Sequence, residues 1–153
     1  MKFKLSLYVL GLLSLIVIAT GMLYFLRQHL LGYHAAFLEM TEPQLNSFDP
    51  RIMPLYFALT QITGSCMIAT GLTSFLLVAW PLRHRIRWAW WTLVALLPFP
   101  LGVTSVVSYH ISRSIAEGPR PPYWLAMGIL ALFILAMIFA YPGKTEPEKE
   151  ISS

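Results

Sequence analysis

The sequence predicts an all-α protein, an integral membrane antiparallel four-helix bundle, and three observations carry that prediction. Four long apolar runs lie at about 5–26, 55–80, 88–111 and 122–141. Eighteen or more mostly apolar residues are enough to cross the ~30 Å hydrocarbon core as a helix, and lipid offers the backbone no hydrogen-bond partner outside its own helix. Composition agrees, because only 12% of residues are charged against about 25% in soluble domains. Tryptophans and tyrosines gather at the ends of the runs, where amphipathic rings mark a membrane boundary. With 153 residues there is room for a single four-span domain, 1–153, comprising the spans, an ordered outer loop over about 27–54 and a polar cytoplasmic tail over about 143–153.

The first run opens like a signal peptide, with Lys2 and Lys4, an apolar core over 5–18 and a tolerable cleavage site at Val17, Ile18 and Ala19. Its apolar sequence continues through Met22, Leu23, Tyr24, Phe25 and Leu26, longer than a typical signal core. An uncleaved span is expected, which puts both termini on one side. Lys2, Lys4, Arg83, Arg85, Arg87, Lys144 and Lys149 fall on that side, against Arg27, Arg51, Arg113 and Arg120 on the other. The positive-inside rule makes the richer side cytoplasmic, in the cell membrane. Trp80, Trp88, Trp90 and Trp91 flank the basic turn 81–87, while Tyr33, Tyr56, Tyr109, Tyr123 and Trp124 mark the outer boundary. The net charge of +4 follows from these span-end basic residues, so the partners expected are the lipid bilayer and a membrane protein or second copy, with no nucleic acid.

The outer loop carries most of the polar residues. Leu30, Leu31, Tyr33, His34, Phe37, Leu38 and Thr41 recur at near-helical spacing, as in a short helix lying along the interface. Thr41, Glu42, Pro43 and Gln44 have the form of a capping box with proline near the helix start. Asp49 is placed to cap the start of span two.

Within the spans, small residues indicate which faces meet, because helices in lipid associate by close packing. Leu7, Gly11, Ser14, Ile18, Gly21 and Phe25 form one stripe, and Phe57, Gln61, Gly64, Ile68, Gly71 and Phe75 another. Spans one and two are therefore expected to pack as an antiparallel pair. Gln61 lies on the second stripe, and an amide at that depth needs a partner. Thr104, Ser105 and Ser108 of span three are its natural candidates. Pro98 and Pro100 should kink span three, since each removes a helix hydrogen bond. Cys66 is the single cysteine, so no intrachain disulfide forms, and mid-span it reads as a small apolar side chain.

His29, His34 and His110 fall at the outer level, and His34 with His110 could ligate haem or bind a quinone carbonyl. Closely spaced metal ligands are missing, and no cofactor is the plainer expectation. Glu39, Glu42, Asp49 and Glu117 lie outside the spans, which argues against a proton-coupled transporter. No nucleophile, phosphate-loop or zinc motif appears. If there is a ligand site, His34, Glu39, Gln61, Thr104, Ser108 and His110 would build it, with Glu39, His34 and His110 as acid–base groups.

The long first outer loop, the segment GSCMIATGL in span two and the basic turn that follows it resemble small bacterial four-span proteins of the DoxX-like kind. The resemblance implies architecture and a bacterial cytoplasmic membrane, and it carries over no functional residue. The expected role is a non-enzymatic accessory subunit or small apolar-ligand binder. The alternatives are a redox component binding quinone or haem and a small transporter subunit.

Overall fold

The computed structural model describes residues 2–143, and these are helical and loop segments with no strand among them. In chain order they form α1 (Lys2–Leu26), α2 (Gly32–Leu38), α3 (Glu42–Phe48), α4 (Ile52–Leu77), α5 (Arg87–Leu96), α6 (Pro98–Ser114) and α7 (Tyr123–Phe139). A π turn over Val78–Leu82 prolongs α4 and carries Pro81 within it.

Three helical stretches among the described residues are long and apolar enough to cross a membrane, namely Lys2–Leu26, Ile52–Leu82 and Arg87–Ser114. They coincide with the first three expected spans. The fourth is shorter than the expected 122–141, because α7 has 17 residues. Pro121 and Pro122 precede it and Pro142 follows it, and at 1.5 Å per residue it reaches about 25 Å. Of the polar tail expected over about 143–153, all but Gly143 lies outside the described residues.

The tightest contact joins α1 to α4, which run antiparallel. Gly21 sits on Gly64, while Ile18 and Ser14 sit on Gly71, so numbering falls along one helix as it rises along the other. A Cβ on Gly64 would lie 2.6 Å from the Phe25 backbone nitrogen and 2.7 Å from the Gly21 carbonyl oxygen. One on Gly71 would meet Ile18 Cγ1 at 2.6 Å. Only hydrogen fits in those places, as small-residue packing requires. Gly11, expected in the same stripe, lies outside this seam, since nothing stands within 4 Å of its Cβ position. There α1 packs on α7 instead, and Leu10 and Leu13 join Leu82, Leu93, Leu97, Phe133 and Met137 in the main core.

Buried hydroxyls on these helices bond their own backbone. Ser14 donates to Leu10 O at 2.9 Å, Ser74 to Thr70 O at 2.8 Å and Ser105 to Leu101 O at 2.8 Å. Each buries a polar group without needing a partner from another helix.

The expected kink falls at Leu97, between α5 and α6. Pro98 and Pro100 bring no N–H, yet Leu97 N–H still reaches Leu93 O and Leu101 N–H reaches Leu97 O, both at 3.2 Å. The chain turns at Leu97 between the two helices without opening into a loop.

The two ends of the molecule differ in chemistry. At one end the Arg85 guanidinium lies 4.8 Å above the Phe3 ring, and Lys2 Nζ lies 5.6 Å from the Phe139 ring. The Trp90 indole N–H donates to Met137 O at 2.9 Å, which satisfies one of the carbonyls that the end of α7 leaves free. At the other end α2 and α3 fold over the start of α4. Leu30, Leu45 and Met53 form a small separate core there, with Tyr56 and Phe57 against it. Thr41 N–H donates to Gln44 Oε1 at 2.8 Å, the expected capping contact. Asp49 Oδ1 accepts the Arg51 N–H at 2.9 Å, at the entry to α4.

Candidate functional site

The polar side chains of the covered end converge because three elements meet there. The last turn of α1 supplies Tyr24, the residue just after that helix is Arg27, α2 supplies Tyr33 and His34, and the first turns of α4 supply Tyr56. The Tyr24 and Tyr33 hydroxyls lie 2.8 Å apart, and the Tyr56 hydroxyl lies 2.9 Å from His34 Nδ1. Leu31 N–H also donates to Tyr56 Oη at 3.3 Å. Glu42 accepts the Leu30 N–H and stands 3.5 Å from His29 Nδ1. Burial pushes the His34 pKa down, and the positive charge of Arg27 adds to that effect. Burial and the bond to Tyr24 push the Tyr33 phenol up. His34 and Tyr33 are thus both uncharged at neutral pH, and the cluster reads as a hydrogen-bonded clasp tying the loop to α1 and α4.

The residues expected to build a ligand site are dispersed. His34 is engaged by Tyr56. Glu39 is exposed and ends α2 in a left-handed conformation at φ 53°, its N–H bonded to Ala35 O. His110 is exposed, with its ring edge-on to Tyr109 at 5.9 Å. Thr104 is exposed and Ser108 half-buried, while Ser105 is committed to its own helix. Among the described residues no group of three or more His, Cys, Asp or Glu is placed to hold a metal.

Gln61 departs furthest from the inter-helix contact expected of it. Its amide faces outward and makes no hydrogen bond among the described residues. The reason is angular. Thr60, Gly64 and Gly71 define the buried face of α4, and Gln61 stands about 100° round the helix from Thr60. It shares an exposed face with Pro54, Ala58, Ser65, Ala69, Leu72 and Leu76, in which Ala58, Ser65 and Ala69 are small.

Sequence reasoning passed over Tyr24 and Tyr56 as partners and gave Ser112 no role. Tyr24 and Tyr33 are nine residues apart, and only the turn between α1 and α2 brings their hydroxyls together. Ser112 lines a cavity of about 400 Å³ with Tyr109, Arg113, Arg120 and Tyr123, between the end of α6 and the start of α7. A second, more open space of about 460 Å³ lies between Trp80 and Trp88 over Leu76, Leu77 and Pro81.

No family model, curated protein or solved structure matches the chain.

Proposed function

We propose that this is a four-span protein of the cell membrane, with α7 as the fourth span, and that it serves as a non-enzymatic accessory subunit. It docks on its partner within the bilayer through the outward face of α4. The observation that carries this reading is the unpartnered amide of Gln61 on a face bearing Ala58, Ser65 and Ala69. An amide left without a partner in hydrocarbon is costly, by several kcal/mol. Small residues on either side of it let another helix approach closely enough to bond it. The basic end, with Arg83, Arg85 and Arg87 beside Trp80 and Trp88, faces the cytoplasm by the positive-inside rule.

A photo-reactive residue at Ala58 or Ala69 should give a discrete adduct in intact cells, and Gln61→Leu should abolish it without lowering the protein's abundance. An adduct at twice the chain mass would identify a second copy as the partner. Absence of any adduct at either position overturns the docking reading. For orientation, Ser47→Cys in a Cys66→Ser background should label with an impermeant reagent on intact cells; labelling only after permeabilisation inverts it. A Soret band or extractable quinone in the purified protein, lost in His34→Ala, would replace the accessory role with a redox one.

A further inference from the structure

The cavity between α6 and α7 has features that the docking reading does not use. Arg113 and Arg120 both line it, and neither forms an ion pair with a carboxylate among the described residues. The Arg113 guanidinium lies 5.4 Å above the Tyr109 ring, and Tyr109 meets Tyr123 edge-on at 5.5 Å. Arg120 Nη2 donates to Ile115 O at 3.3 Å, a contact that leaves most of its five donors free. Both side chains are exposed, and an anion entering this space meets two guanidinium groups that no carboxylate among the described residues neutralises.

Ser112 is the second, independent observation. It is 5% exposed, yet its hydroxyl makes no hydrogen bond among the described residues, and it lines this same cavity. Buried Ser6, Ser14, Ser74 and Ser105 all bond the carbonyl four residues earlier, so Ser112 departs from the rule that its neighbours follow. No buried side-chain nitrogen or oxygen lacks a partner among the described residues, so the Ser112 hydroxyl is not sealed off but opens to this cavity, where it is free to bond a ligand.

We infer that the space bounded by Tyr109, Ser112, Arg113, Arg120 and Tyr123 is a binding site for a phosphate group. Guanidinium groups match tetrahedral oxyanions in charge and in bidentate geometry, and the Ser112 and tyrosine hydroxyls supply neutral donors beside them. The start of α7 adds the partial positive charge of a helix N-terminus. With about 400 Å³ the site has room for the group esterified to the phosphate as well as the oxyanion. Phosphate of this kind comes from a phospholipid headgroup or from a free phosphate ester.

The test uses the full chain in detergent, followed by tryptophan fluorescence on heating, with Trp124 one residue from the site. One arm titrates inorganic phosphate, and the other adds phosphatidylglycerol at constant total lipid over a neutral, phosphate-free glycolipid. A rise in Tm with phosphatidylglycerol alone assigns the site to a lipid headgroup, and a rise with inorganic phosphate assigns it to a free phosphate. Either rise should need at least tenfold more ligand in Arg113→Gln/Arg120→Gln. Arg83→Gln/Arg87→Gln, at the other end of the molecule, should leave it unchanged. Should the double arginine variant fail to fold, native mass spectrometry of Ser112→Ala should show a several-fold smaller fraction of phosphate-bearing adduct. The inference is overturned if neither ligand raises Tm, or if the rise persists in Arg113→Gln/Arg120→Gln or, where that variant does not fold, adducts persist at full level in Ser112→Ala.

Discussion

The α1–α4 pair and the α6–α7 pair are built on opposite principles. In the first, Gly21, Gly64 and Gly71 bring two backbones into direct contact, and the buried serines Ser14 and Ser74 bond their own helices. In the second, Gly102 of α6 and Gly128 of α7 have nothing within 4 Å of a Cβ position. That pair closes at one end through aromatic edges around a polar cavity. The same residue type therefore means closeness in one place and nothing in the other. The α1–α4 seam is a rigid spine, whereas the α6–α7 pair leaves space for something other than protein.

Methyl groups added to each pair should separate the two most strongly. Gly64→Val forces a Cβ into the Phe25 and Gly21 backbones, and backbone cannot move aside as a side chain can. We expect a loss of at least about 3 kcal/mol, as for severe overpacking, or no folded protein at all. Gly128→Ala should be neutral or gain up to about 0.5 kcal/mol from helix propensity. Thermal unfolding of both variants in one detergent measures the contrast, and equal losses would mean that the seam is no tighter than its counterpart.

A smaller effect is expected where α5 meets the end of α7. Trp90→Phe keeps an aromatic ring, though a smaller one, and removes the N–H that reaches Met137 O, which should cost about 1–2 kcal/mol. Trp91 is exposed, so Trp91→Phe serves as the matched control. A shift in Tm as large for Trp91→Phe would show that the rings act as bulk rather than through one hydrogen bond.

Much of this was legible in the sequence, and the limits of legibility are physical. Run length alone located the three long stretches, because no other structure suits so many consecutive apolar residues. The glycine seam was legible from four-three spacing. The direction of Gln61 was not, since that spacing admits residues at the margin of a face. A difference of about 100° then turned an expected inter-helix bond into an outward amide. His34 stood out as a polar residue of the outer loop, but its partner Tyr56 lies 22 residues away, and no local pattern encodes that pairing. Ser112 was silent because a serine near a helix end looks the same whether or not its hydroxyl is satisfied.

The clasp over the spine should respond to pH. Burial lowers the His34 pKa below its ordinary 6.5, so the unfolded chain binds a proton more readily than the folded one. Stability is then full above about pH 7 and falls as pH drops through the unfolded value toward the folded one. Tyr56→Phe removes the hydroxyl that serves both His34 and Leu31 and should cost about 1 kcal/mol at pH 8. His34→Gln should flatten the acid side of a Tm profile taken between pH 5 and 8. A profile unchanged by that substitution would remove His34 as the group responsible.

The smallest effect lies at Glu39, where α2 ends with a non-glycine residue at φ 53°. A side chain in that region costs about 1–2 kcal/mol through its Cβ. Glycine relieves this but loses more entropy on folding, roughly 0.4–1 kcal/mol. The balance favours Glu39→Gly by about 0.5 kcal/mol, provided that the carboxylate has no other duty. Glu39 was the one acidic residue that sequence reasoning offered as an acid–base group, so the same variant separates two roles. A Tm raised by one or two degrees makes Glu39 an ordinary helix end, tolerated in a part of the molecule that does not set its stability. A lowered Tm would mean that its carboxylate holds the loop and that the clasp belongs with the spine.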